Sequence, residues 1–424
     1  MFAILLSACD SLPFEIPWLK DETPTETQSV GEGSDLTPTP ELMPTVETTP
    51  EPVTSLILWV PPEMDPSLGT DASMLLANRL QLFSDLHDGL EINVRVKAAS
   101  GAGGLLDALE ATSAAAPDAL PDLIALTRPD IESAALKGLI SSLEALTEIP
   151  DDSDWYSFTR DLALLQGETY GFPFAADALA LVYRPESIPD FPGTWSGILE
   201  SNAVFVFPAD SDQSLFQLVL YLAEGGVVQD NQRRPTLEID DLTEVFQLIK
   251  EGVESGAFPK SLIQYQTSEQ VWADFQEGEV DLAVTWLSNF LKEKPADASV
   301  LPLFPASEGG VSIGSGLIWA VSTPNESRQA IAIALGEFLI QSDFLAEWSL
   351  AAGYIPPRPS SLEGWTNQVL RSTVSQIALM TKMYPPNDII STLGPILREG
   401  TRQIMQDKVE PVLAAQEAVD SLEE

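Results

Sequence analysis

Strand-length apolar runs alternate with segments of helical spacing as soon as the chain becomes foldable, and this alternation limits the possible folds more than any other feature. Ser55–Val60 is a compact apolar run of strand length. Leu75, Leu76, Leu80 and Phe83 follow at helical spacing. Residues 90–96 alternate as a half-buried strand, the cluster Gly101 to Gly104 opens a helix over 105–114, and 121–126 read as a buried strand before a helix ending near Gly138. This repetition predicts a parallel sheet with helices on both faces. Ligands of such sheets sit at the carboxyl ends of the strands. Thr127 and Arg128 stand at one such end and Trp59 at another. Trp59 either faces the ligand or lies beneath it; Arg128 either pairs locally or meets an anionic ligand. The glycine cluster lacks the Lys-Ser/Thr ending of a phosphate loop and the spacing of a dinucleotide site.

The segment before Ser55 follows different physics. From Asp21 to Ser55 the chain is mostly Thr, Pro, Glu and Ser, and no Lys or Arg occurs between Lys20 and Arg79. Its prolines block helix and sheet hydrogen bonding, and its carboxylates repel. Too little apolar surface is present to offset the entropy of ordering. We read residues 10–54 as a disordered acidic tether whose contour reaches on the order of 100 Å. Ahead of it, Leu6-Ser7-Ala8-Cys9 reads as a bacterial lipobox in which the Cys9 thiol takes a lipid, ending a short apolar signal over 1–9; the alternative is a chance cysteine. No Lys or Arg precedes Cys9, and no stretch of 18 or more apolar residues follows it.

Charge and rare residues exclude several classes. With 64 Asp+Glu against 21 Lys+Arg, the formal net charge is -43. Nucleic acid needs clustered cations, so it is excluded as a partner. One His and one Cys exclude the common zinc sites, a Cys-His nucleophile pair and a disulfide framework, and no metal or other cofactor is expected. The roughly 370 residues after the tether exceed one core and imply two lobes.

A series of motifs runs collinearly through this part: Gly167, Tyr170, Gly171 and Pro173 ahead of a strand ending at Tyr183; Pro192, Thr194 and Trp195; Gly278 to Trp286; Leu301 to Pro305 before Gly314 and Gly316; and Gly353-Tyr354-Ile355-Pro356 before Arg358. The series resembles the extracellular solute-binding proteins of bacterial ABC importers, in the sugar-binding branch that includes maltose-binding protein. The resemblance covers about 55–424. It implies an α/β, two-lobed clamshell: 55–174 and 306–355 form one lobe, 175–305 and the C-terminal helices of 356–424 the other. The chain would cross near 172–176 and return near 304–316.

The resemblance also implies site residues. Asp177, following the crossover strand, would accept hydrogen bonds from vicinal hydroxyls. Trp286 would stack on a sugar face. Ser288, Asn289, Asp210 and Tyr354 would add contacts, and Gly314 and Gly316 would either admit a ligand to the backbone or make a turn. Leu317 and Ile318 stand where sugar-binding relatives often carry an aromatic. Trp272 and Trp348 read as core. The implied function is capture, by a monomer, of a sugar or oligosaccharide for delivery to ABC permease subunits, without catalysis. The alternatives are the same scaffold with a polyamine, a peptide-like compound or a polyol, a surface glycan-acting enzyme, and a structural lipoprotein.

Overall fold

The structure, a computed structural model, describes residues 52–149, 152–303 and 310–422. Cys9, the tether up to residue 51 and the first part of the expected return, 304–309, lie outside the described residues. The fold opens with β1 (Ser55–Val60), α1 (Asp71–Leu86), β2 (Glu91–Val96), α2 (Leu105–Ala115), β3 (Leu123–Thr127) and α3 (Arg128–Leu136). β1 lies between β2 and β3 and runs parallel to both. The Thr70 hydroxyl caps α1 by accepting the Ser73 N–H at 3.2 Å. Its buried residues Leu76, Leu80 and Phe83 share one stripe against the sheet.

Next come α4 (Ser157–Ala163), a hairpin of β4 (Leu164–Leu165) and β5 (Glu168–Thr169), and then β6 (Phe172–Tyr183). β6 is an almost unbroken apolar run, as expected of a strand covered on both faces. Beyond it lie α5 (Trp195–Glu200), β7 (Phe205–Val206), α6 (Leu215–Glu224), α7 (Ile239–Ser255), α8 (Ser268–Glu277), β8 (Leu282–Trp286), α9 (Leu287–Glu293) and β9 (Ser299–Pro302). The chain returns through β10 (Ser312–Val321), α10 (Glu326–Leu339) and α11 (Ser342–Ala352). It ends with α12 (Pro359–Glu363), α13 (Gln368–Met380), β11 (Thr381–Met383), α14 (Asn387–Met405) and α15 (Pro411–Asp420).

One sheet runs through both halves, in the order β2-β1-β3-β10-β6-β8-β7, with β9 beside β6 and β11 beside β10. β6 joins them. Phe172 to Ala178 pair with β10, and Leu179 to Tyr183 pair with β8. Two apolar clusters flank the β1–β3 half: one takes in α1, α10 and α11, the other α2 and α3. A larger one fills the β7–β9 half and includes α13, α14 and α15.

Three details differ from the sequence reading. The sheet is mixed, because β10 returns antiparallel to both β3 and β6. β11 was not foreseen, since Thr-Lys-Met carries no strand pattern; it pairs in parallel with Ser312 to Gly314. Gly314 and Gly316 lie inside β10, not in a turn. A Cβ at Gly314 would stand 2.5 Å from Thr381 Cγ2 and 2.6 Å from Phe158, and one at Gly316 2.5 Å from the Ala175 carbonyl oxygen. These glycines let α4, β11 and β6 close on β10, which is why side chains are excluded there.

Candidate functional site

β6 contains one carboxylate within its apolar span, Asp177. It lies inside the strand, opposite Ser315 of β10, not after the strand as the sequence suggested. The β6 ladder continues six residues beyond it, because alternation between two cores keeps the run apolar. Asp177 is half-buried. Its Oδ1 accepts the N–H of Ala178 at 2.9 Å and of Ser288 at 3.0 Å. Burial pushes its carboxyl up to about 6, against the opposing pull of the Ser288 hydroxyl and N–H, the Ala178 N–H and the Lys292 ammonium. One carboxylate oxygen is thus held by two backbone N–H groups.

α9 supplies that holding donor. It starts directly after β8, so the Ser288 N–H is one of the helix's unpaired first-turn donors, a natural partner for a carboxylate. Ser288 is buried and spent on Asp177; it does not reach outward. Lys292 follows one turn later, with its ammonium 4.9 Å from the centre of the Tyr354 ring. Tyr354 is brought here by Gly353, which caps α11 at φ +74. A Cβ on Gly353 would lie 2.5 Å from Lys292 Cγ and 2.9 Å from the Lys292 backbone nitrogen. The next residue, Ile355, exchanges backbone hydrogen bonds with Ala176 at 2.7 and 3.1 Å, fixing Tyr354 beside Asp177. Burial, together with the charges of Asp177 and Glu63, raises the Tyr354 phenol well above its usual range. Its ring stacks on Trp348 at 6.0 Å.

Beside this cluster a cavity of about 240 Å³ opens at the carboxyl ends of β7 and β8, which run parallel. Trp286 ends β8 and lines it; Leu179, two residues from Asp177 on the same strand face, is its ladder partner. Pro208 and Ser211 line it from the loop after β7, together with Gln213, Gln266 and Thr267. Thr267 and Gln270 form a capping box that fixes the start of α8. Among the lining residues Glu269 is the one charged group. Asp210 stands between Pro208 and Ser211, with its N–H bonded to the Tyr265 carbonyl at 2.9 Å. The arrangement offers a flat indole, neutral donors and acceptors, and a carboxylate nearby. These suit an uncharged, hydroxyl-rich molecule.

The other expected residues have different work. Trp59 is 2% exposed and packs in the core with Leu105, Leu109 and Ile124; the ammonium of Lys97 lies 4.2 Å above its ring. It lies beneath the surface because both flanking strands and α2 cover it. Arg128 is 5% exposed. It pairs with Glu132 at 2.8 Å and donates through Nη1 to the carbonyls of Asp161, Leu162 and Leu164, so it closes the end of α4 and is engaged locally. Thr127 precedes α3, and its hydroxyl bonds Asp130 at 2.8 Å. The Asn289 amide donates to Thr285 Oγ1 at 2.8 Å, inward to β8. Gly316 serves strand packing. The structure therefore gathers Asp177, Ser288 and Tyr354 into one cluster, sets Trp286 at the adjoining cavity with Asp210 on a loop that lines it, and engages Trp59, Thr127, Arg128, Asn289 and Gly316 in local packing or hydrogen bonds. Trp272 and Trp348 are buried, as read from the sequence. Lys292 was missed although its i,i+4 spacing from Ser288 signals it; Gln213 and Gln266 sit on loops that carry no pattern.

A mixed sheet shared by two α/β cores, with chemistry gathered where one strand passes between them, defines a two-lobed clamshell of the periplasmic-binding kind. Comparison with known proteins agrees. Residues 81–372 match the bacterial extracellular solute-binding protein family, and the chain belongs to that family. It is 23% identical over 258 residues to the maltotriose-binding protein of Pyrococcus abyssi (strain GE5 / Orsay), an alignment covering 56% of this chain and only 54% of that protein's length. Its fold is similar to that of the cyclic alpha-maltosyl-1,6-maltose binding protein from Arthrobacter globiformis, with a TM-score of 0.71, 16% identity, and coverage of 88% of this chain and 99% of that one. It is also similar to the sugar-binding protein MalE from Xanthomonas citri, with a TM-score of 0.68, 19% identity, and coverage of 87% and 97%. The family places the chain outside the cytoplasm, and these relatives are named as binding proteins.

Proposed function

We propose that this protein captures an oligosaccharide of the maltodextrin class and hands it to the permease of an ABC importer, without chemically changing it. The observation that carries this reading is the pairing of Trp286 and neutral polar groups in one cavity with the Asp177 carboxylate on the adjoining strand. An indole packs on the apolar face of a pyranose while amides, hydroxyls and a carboxylate meet its hydroxyls. Relatives named for binding maltotriose and maltosyl sugars support the choice of class. A polyamine is a poorer match, because the Lys292 ammonium beside Asp177 repels a second cation there.

In this reading 55–174 with 306–355 and 175–305 with 356–424 are the two lobes, closing about β6 and β10. Residues 10–54 are a tether, and a lipid on Cys9 holds the protein at the outer face of the membrane. Calorimetry tests the ligand: maltotriose should give saturable binding heat and, at one hundred times its Kd, raise stability by about 2.7 kcal/mol, whereas spermidine should do neither. Heat from spermidine and none from any malto-oligosaccharide would overturn the assignment. A Cys9→Ser variant should leave the membrane fraction; one that stays there refutes the anchor.

A further inference from the structure

The loop that brings Ser211 and Gln213 to the cavity is gripped from behind by α14, and we propose that Gly394 and Ser214 are positioning residues for solute capture, fixing that loop without touching the solute. The inference rests on the reading of this cavity as the solute site. The loop runs from the end of β7 to α6. It ends on Ser214 at φ +46, a left-handed backbone disfavoured for a residue with a Cβ. Ser214 is fully buried, and its hydroxyl lies 2.8 Å from the Gly394 carbonyl oxygen and 3.1 Å from that of Ser211. A single hydroxyl proton serves both, with the shorter bond to α14.

α14 is shaped for this contact. A Cβ on Gly394 would fall deep inside the van der Waals shell of the Asp212 carbonyl oxygen and 3.0 Å from Gln213 Cα. Gly394 is followed by Pro395, inside a helix of 19 residues. Glycine weakens a helix interior, and proline removes the N–H that the Ser391 carbonyl would accept. Two adjacent helix-opposing residues at the point of closest approach show that the tertiary contact, not helix propensity, dictates the sequence there. Arg398, one turn further on, pairs with Asp212 at the surface. Residues 212, 213 and 214 are thus each held by α14: by an ion pair, by close backbone packing and by a buried hydroxyl. A loop fixed before the solute arrives spares binding the cost of ordering it.

The test compares the wild-type chain with Gly394→Ala, Ser214→Ala and Arg398→Gln. Amide exchange is read by mass spectrometry without ligand, and maltotriose affinity by calorimetry. In Gly394→Ala and Ser214→Ala, exchange in residues 211–217 should rise about tenfold while the remainder of α14 keeps its protection, and maltotriose should bind about tenfold more weakly. Arg398→Gln should change both by less than about twofold, since its pair is exposed. Should Gly394→Ala fail to fold, Ser214→Gly removes the hydroxyl while easing the backbone, and the same tenfold rise is expected. Wild-type exchange in folded Ser214 variants overturns the proposal, as does a rise spread over the whole second lobe. Tenfold loop exchange with unchanged maltotriose affinity would also overturn it, whereas no maltotriose heat from the wild type would refute the sugar reading on which it rests.

Discussion

Asp177→Asn separates the electrostatic cost of the site from its packing. The carboxyl is pushed up to about 6 from an ordinary 3.8, mainly by burial. The native state therefore binds this proton more tightly than the unfolded chain, and the sign follows from linkage. The stability associated with the group is fully present below pH 3.8, declines as pH rises through the interval to about 6, and stays low above it. At 1.36 kcal/mol per pH unit, a shift of about two units corresponds to an upper bound of about 3 kcal/mol. Asparagine keeps an oxygen for the Ser288 and Ala178 N–H groups but cannot ionise. The variant should thus match the wild type near pH 4 and exceed it by about 1 to 3 kcal/mol at pH 7.5. Paired urea melts across that range measure the difference, and the titration of all other groups cancels in the comparison. The same variant should lose maltotriose affinity. A stability difference that stays constant from pH 4 to 7.5 would refute the assignment of a desolvated carboxyl at this position.

Trp286→Ala should weaken maltotriose binding about tenfold or more through lost stacking and buried area, and should abolish most of the sugar-induced change in tryptophan emission; an unaltered titration would remove Trp286 from the site. Arg128→Met leaves Glu132 and three carbonyls without their partner, so stability should fall by about 3 kcal/mol or more in denaturant melts, while affinity of the folded fraction for maltotriose remains within a few-fold of wild type. With a net charge of -43, the folded state repels itself, so moderate sodium chloride should raise the melting temperature; a falling midpoint between about 0.05 and 0.5 M would contradict that reading.

Period and punctuation carried most of the fold. β1 has the bounds that its apolar run suggests, and α2 begins one residue after the glycine cluster. Asp177 was singled out through the family resemblance, as a carboxylate after the crossover strand; its place inside β6 emerged only from the ladder to Ser315. Trp59 and Arg128 were harder to read. Both lie at strand ends, where ligand contact and core packing look alike in one dimension. Only α2 covering the indole, and the α4 carbonyls facing the guanidinium, separate the two. β11 and the residues on the cavity loops gave no local signal, since their places are set by partners far away in the chain. Gly394 and Pro395 show the reverse case: locally they oppose a helix, and their reason emerges only from the loop they accommodate.

A strand that feeds two hydrophobic cores at once ties their fates together. Melting the β7–β9 half would strip β6 of the neighbours of its latter part, while its first part stays paired with β10, itself paired with β3. Neither half can come apart and leave the other with a finished edge. The passage from one half to the other is therefore a ribbon of paired backbone and not a slack string.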